Sequence, residues 1–81
     1  MSQPNELQLL TEMKKDEEFL KENYGKLRES YPDEFVALKD GKVIDNAPKV
    51  KILIKKLEDK GLNPSVISIE FIHKKGTLLI L

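Results

Sequence analysis

The chain has 81 residues, with 14 Lys and Arg balanced by 14 Asp and Glu, which permits one small domain core at most. Hydrophobic residues make up 40% and charged residues 35%, which is too apolar for a disordered tail and too charged for a membrane span. The lack of cysteine excludes disulfides, thiolate zinc sites and cysteine nucleophiles. With one histidine and no signal-peptide pattern in residues 1–5, we expect a cytoplasmic protein without a metal or other cofactor.

Charge is distributed unevenly along the chain. Residues 1–41 contain six Lys and Arg against ten Asp and Glu, a net charge of −4, whereas residues 42–81 contain eight lysines against four acids, a net charge of +4. The basic half could face nucleic acid, or the two halves could complement each other within one chain or between two. We favour complementarity, because a neutral protein has no long-range field that attracts a polyanion.

Residues 5–30 predict one long amphipathic helix. Asn5 is a suitable N-cap, and the residue before Pro32 is disfavoured in a helix, so the helix should end near Ser30. Gly25 is a weak point, which costs about 1 kcal/mol relative to alanine and could bend or end the helix. With Glu17 as one polar member, three- and four-residue steps place an apolar stripe on one face. The stripe comprises Leu10, Met13, Leu20, Tyr24 and Leu27.

A β-hairpin is predicted next. Two short apolar runs, residues 35–39 and 42–45, are joined by Asp40 and Gly41. Asp-Gly is typical of a type I′ turn, in which both central residues have positive φ. This turn predicts two facing pairs, Leu38 with Val43 and Ala37 with Ile44.

A second helix should follow the hairpin. We expect Asn46 as its N-cap, Pro48 in its first turn, an end near Lys60, and Gly61 at the C′ position. Its predicted core stripe is Val50, Leu53, Ile54 and Leu57. The opposite face carries candidate partner or phosphate contacts, which are Ile52, Lys51, Lys55 and Lys56.

The remaining residues predict a second hairpin. Residues 66–73 alternate in a way that indicates a strand with one buried face, and residues 77–81 form its returning strand. The predicted fold is therefore α+β: a long N-terminal amphipathic helix (residues 1–30) followed by a small ββαββ domain (residues 31–81). The second helix should make a right-handed crossover between the second and third strands.

Four segments carry a resemblance to a known family. They are Phe-Val-Ala-Leu-Lys-Asp-Gly-Lys-Val-Ile at 35–44, Leu-Glu-Asp-Lys-Gly at 57–61, Ile-Glu-Phe-Ile at 69–72 and Leu-Leu-Ile-Leu at 78–81. Over about residues 27–81 the chain resembles a family of short archaeal and bacterial proteins catalogued as a domain of unknown function. The resemblance implies a small αβ module with no assigned activity and no catalytic residues to transfer.

Candidate catalytic groups are few. His73 and Thr77 should face each other across the second hairpin, but an edge hairpin offers no cleft that excludes water. We expect structural roles for the clustered carboxylates, which are Asp33, Glu34, Asp40 and Asp45. No glycine pattern indicates a phosphate-binding loop. We therefore expect no enzyme and no small-molecule substrate.

The first helix is too long for the predicted domain. At 1.5 Å per residue it spans about 39 Å, whereas the remaining residues form a globule about 25 Å across. The sequence therefore predicts a non-catalytic interaction or assembly module that buries its helix stripe in an antiparallel homodimer, with another protein partner left open. The alternative is a nucleic-acid-binding or ribosome-associated factor that uses the lysine face of the second helix. We favour it less because Arg28 is the only arginine.

Overall fold

The computed structural model describes residues 6–74. Its elements are α1 (Glu6–Ser30), β1 (Glu34–Lys39), β2 (Lys42–Ala47), α2 (Val50–Asp59), a short 3-10 helix (Pro64–Val66) and β3 (Ser68–Ile72). The predicted α+β class is confirmed, and α1 continues through Gly25 without a break. Two predictions, the cap at Asn5 and the fourth strand at residues 77–81, lie outside the described residues.

The three described strands form one antiparallel sheet in the order β2-β1-β3. Strand β1 lies at the centre of the sheet and is covered on both faces. This position explains why it is the most apolar strand, with Val36, Ala37 and Leu38 all buried. Since β2 and β3 are both antiparallel to β1, they run parallel to each other, and α2 connects them across β1.

The Asp-Gly turn forms as predicted. Asp40 has φ +52° and Gly41 has φ +69°, so both central residues lie in the left-handed region that a type I′ turn requires. Space around Gly41 is open for a side chain, so its backbone angle alone makes glycine the suitable residue.

The predicted hairpin register is correct at one pair and wrong at the next. Leu38 faces Val43 as expected, but Ala37 faces Asp45 rather than Ile44. Ile44 is the extra residue of a β-bulge, and two consecutive β2 residues therefore lie opposite Ala37. The bulge brings Asp45 to the face of the sheet on which α2 lies.

The predicted N-terminus of α2 is also wrong. Asn46 belongs to β2, where strand pairing continues to Ala47 and the Asn46 amide donates to Glu34 Oε1 at 2.8 Å. The helix begins at Val50 after an extended Lys49 that gives no side-chain cap. At the other end Gly61 has φ +78°, as the predicted C′ position requires.

The two helices cover opposite faces of the sheet. Helix α1 packs on β1 and β3, and α2 packs on β2 and β1. The buried residues on the α1 side are Leu27, Val36, Leu38 and Ile72. Those on the α2 side are Ala37, Ala47, Leu53, Leu57 and Ile67. The prediction that β3 buries one face was therefore incomplete, because Ile72 is buried beneath α1.

Within residues 6–74, neither helix is both long and apolar enough to cross a membrane.

Candidate interaction surfaces

A buried carboxylate fixes the position of α1 on the sheet. Asp16 is 4% exposed, and its Oδ1 accepts a hydrogen bond from the Gly41 N–H at 2.9 Å. Its Oδ2 accepts from the Ser68 hydroxyl at 3.1 Å. Gly41 lies in the hairpin turn and Ser68 begins β3, so Asp16 lies over one end of the sheet. From there α1 runs in the same direction as β3.

The N-terminal part of α1 extends past that end of the sheet, and we call residues 6–15 the overhang. Its ten residues span about 15 Å, consistent with a molecule of 42 × 25 × 22 Å. Within the overhang Leu7 is 75% exposed and Leu10 is 66% exposed, whereas Met13 is half-buried. Two large apolar side chains therefore point into solvent on a segment that the sheet does not support.

The C-terminal part of the predicted stripe contacts the chain's own core. Leu27 is 5% exposed, and Leu20 and Tyr24 pack against the same cluster on the α1 side of the sheet. The Tyr24 hydroxyl accepts a hydrogen bond from the His73 N–H at 3.1 Å. The five stripe residues thus fall on two surfaces: Leu20, Tyr24 and Leu27 on the sheet, and Leu10 and Met13 on the overhang.

The lysine face of α2 also divides into residues that face solvent and a residue that contacts the chain's own sheet. Lys51 and Lys55 are exposed, and Ile52 between them is 46% exposed. Lys56, by contrast, turns back onto β2, where its ammonium group lies 2.8 Å from Asp45 Oδ1 and donates to the Asn46 carbonyl oxygen at 2.7 Å. A lysine that is paired in this way contributes less to an anion-binding surface.

Asp45 is the second buried carboxylate. Burial alone raises its pKa, but hydrogen bonds from Lys56, Lys60 and the Asn46 N–H outweigh burial and lower that pKa from 3.8 to about 2. Lys60 lies 2.9 Å from Oδ2. Asp45 is therefore ionised at neutral pH and ties β2 to α2. Sequence reasoning expected a structural role for it, but the bulge that creates this contact has no clear sequence signal.

The other candidate catalytic residues are accounted for by structural contacts. Asp33 accepts from the Lys74 N–H at 3.2 Å, Glu34 accepts from Asn46, and Asp40 forms the turn. His73 follows β3, with its ring centroid 5.0 Å from that of Phe71, while Thr77 lies outside the described residues. In the described part of the chain no three His, Asp or Glu residues form a group that could hold a metal ion.

Sequence reasoning missed one electrostatic feature beneath α1. Glu70 on β3 is half-buried, and its pKa is raised by burial and by the negative charge of Glu17 on α1. The only signal was Glu17 itself, the polar member of an otherwise apolar stripe. The approach of Glu70 to Glu17 could not be predicted, because it depends on which strand lies beneath α1.

Comparison with known families places most of the chain in a family. The profile of a family of unknown function, DUF5678, matches residues 26–75, which is more than half of the chain. The chain belongs to this family. The DUF5678 region includes the last turn of α1, the whole described sheet and α2, whereas the overhang lies before it. No curated protein and no solved structure shows a significant match.

Proposed function

We propose that this DUF5678 protein is a non-catalytic interaction module that self-associates through the overhang of α1. The observation that carries the proposal is the exposure of Leu7 and Leu10 on a helical segment that extends past its own sheet. The overhang continues α1 without support from the sheet, whereas most helical stability in proteins comes from tertiary packing of an apolar face. Packing against another surface supplies that support and removes both leucines from solvent.

A second copy of the chain is the partner that fits this segment best. When two overhangs pack antiparallel about a twofold axis at Leu10, residue 7 of one copy lies beside residue 13 of the other. The exposed Leu7 of each copy is then covered by the half-buried Met13 of its partner, and the two Leu10 side chains meet at the axis. Such an isologous contact is closed, so it stops at a dimer.

The nucleic-acid alternative has weaker support. Of the three lysines that it requires, only Lys51 and Lys55 are free of the ion pair with Asp45. If the chain nevertheless binds RNA, its affinity must fall steeply as salt is raised, because phosphate contacts release counterions. Association through apolar side chains has no such dependence.

Sedimentation equilibrium on the full chain tests the proposal. We expect a dimer mass for the native protein and a monomer mass for Leu10→Glu, since a charge at the axis is costly to bury. Ile52→Glu is a matched control, because it also places a glutamate at an exposed apolar position and should remain dimeric. A folded native monomer at high micromolar concentration contradicts the proposal, as does dissociation by Ile52→Glu alone.

A further inference from the structure

Side chains occupy the outer edge of β2, which is an outer strand in the described part of the chain. Alternation from the two-residue turn, with the bulge counted, makes Val36 and Asn46 a facing pair without mutual hydrogen bonds. The backbone N–H and C=O of Asn46 therefore point away from β1. Both are already bonded, because the N–H donates to Asp45 Oδ1 at 2.8 Å and the C=O accepts from the Lys56 ammonium group at 2.7 Å.

A second lysine occupies the next outward carbonyl. The Lys60 ammonium group donates to the Ile44 carbonyl oxygen at 3.4 Å and lies 2.9 Å from Asp45 Oδ2. We call Asp45, Lys56 and Lys60 the edge cluster. Its side chains bond three of the backbone groups through which an added strand would pair. Val43 also faces outward by alternation, but it alone offers too few groups to hold another strand.

A second copy of β2 matches this edge once the edge cluster is absent. Antiparallel pairing about a twofold axis places Val43 of each copy opposite Asn46 of the other, where the outward N–H and C=O groups can exchange hydrogen bonds. The bulge lies between these two residues in both copies, so the spacing of the outward groups is the same on the two strands. Ile52, which is 46% exposed and lies one turn before Lys56 on the same side of α2, would contact the added strand.

We propose that the edge cluster closes a latent pairing site on β2, and that the strand which it excludes is β2 of a second copy. The consequence for assembly rests on the proposed function. A chain that made both a twofold overhang contact and a twofold β2 contact would have two different neighbours, so assembly would continue into an open chain of copies. With the edge of β2 closed, assembly stops at the dimer.

Sedimentation velocity in a Leu10→Glu background tests the edge without the overhang contact. Asp45→Ala, Lys56→Met and Lys60→Met together remove the edge cluster without leaving a buried charge unpaired. We expect this edge variant to form a dimer at high micromolar concentration, whereas Leu10→Glu alone remains a monomer. An edge variant that is folded by circular dichroism and still monomeric overturns the proposal.

Two further variants test whether the edge itself is responsible. The matched control combines Lys51→Met, Lys55→Met and Asp59→Ala, which change the charge equally at exposed positions of α2, and it should remain a monomer. Asn46→Pro removes the outward N–H, so its addition to the edge variant should restore the monomer. Equal association of the control, or a dimer that persists with Asn46→Pro, overturns pairing through β2.

A single substitution decides the result if the edge variant unfolds. Lys56→Ala frees the Asn46 carbonyl while Lys60 still balances Asp45, and it should associate about tenfold more tightly than the control Lys55→Ala. Equal association of the two overturns the proposal.

The same measurements in the native background separate the two proposals. If the overhang dimer is wrong, the native chain is a monomer and removal of the edge cluster gives a dimer in both backgrounds. If the closed edge is wrong, its removal leaves the mass unchanged in both. If both are right, the edge variant in the native background exceeds the mass of a dimer.

Discussion

Two buried carboxylates connect the helices to the sheet. Asp16 joins α1 to the hairpin turn and to the start of β3, and Asp45 joins α2 to β2. Both have polar partners for their oxygens, as buried charges require. Neither set of partners could be predicted from the sequence, because Ser68 is 52 residues from Asp16 and the Asp45 contact depends on a bulge.

Asp45→Asn should destabilise the fold at pH 7 by about 1–2 kcal/mol, a value reduced because both lysines are partly exposed. The folded pKa of about 2 lies below the ordinary 3.8, so the stabilisation is present above pH 4 and is lost as pH falls towards 2. Urea denaturation of the native protein and of Asp45→Asn at pH 7 and at pH 2 measures this change in the free energy of unfolding. Asp59→Asn, at an exposed position on α2, the helix that carries Lys56, is the control and should have little effect. A difference between Asp45→Asn and native protein that persists at pH 2 argues against the ion pairs as its cause.

Glu70→Gln should have the opposite effect and stabilise the protein at pH 7, by less than about 1 kcal/mol. The folded pKa of Glu70 is raised, so its ionised form opposes folding, and this cost disappears as pH falls below the ordinary value of 4.5. Burial is the larger cause of the shift, so Glu17→Gln should stabilise less than Glu70→Gln. Thermal melts at pH 7 and pH 4 provide the comparison, with the exposed Glu58→Gln as control. An equal gain in stability from Glu58→Gln would contradict a cost of ionisation that is specific to the position of Glu70 beneath α1.

Turns and helix ends that depend only on neighbouring residues could be predicted from the sequence. The Asp-Gly turn and the terminating Gly61 required only neighbouring residues, and both are confirmed. The predicted core stripe of α2 was wrong in part, because Leu53 and Leu57 are buried but Val50 is exposed. The bulge at Ile44 and the start of α2 depend on strand pairing, and both were wrong. The order of the strands, and the face of the sheet that each helix covers, were not predicted, because contacts between residues far apart in the sequence determine them.

Two glycine substitutions separate the turn from the helix. Gly41→Val should destabilise by about 1–2 kcal/mol, because a β-branched residue is strained at φ +69° even where there is room for it. Gly25→Ala should stabilise by up to about 1 kcal/mol, since Gly25 is helical and its added methyl meets no atom within 4 Å. Urea denaturation measures both changes. Small and equal effects would contradict the left-handed turn.

The overhang of α1 is the feature that most distinguishes the shape of this protein, and it was expected from the length of the helix. The length of α1 predicted that the sheet cannot cover the whole helix, and the Asp16 contacts show where the covered part of α1 begins. Arithmetic alone could not show that Leu20, Tyr24 and Leu27 serve the chain's own core. Both described ion pairs join residues of the basic half, so charge complementarity between the halves remains a prediction.

Site-directed cross-linking tests the proposed dimer most directly, because the native chain has no cysteine. In an antiparallel pair centred on Leu10, a residue on the twofold axis meets its own copy, so Leu10→Cys should form an interchain disulfide rapidly under mild oxidation. Ile52→Cys places a comparably exposed thiol on α2 and should cross-link only by slow random collision. We predict near-complete cross-linking at position 10 at micromolar concentration and little at position 52. Equal, slow cross-linking at the two positions would contradict association through the overhang.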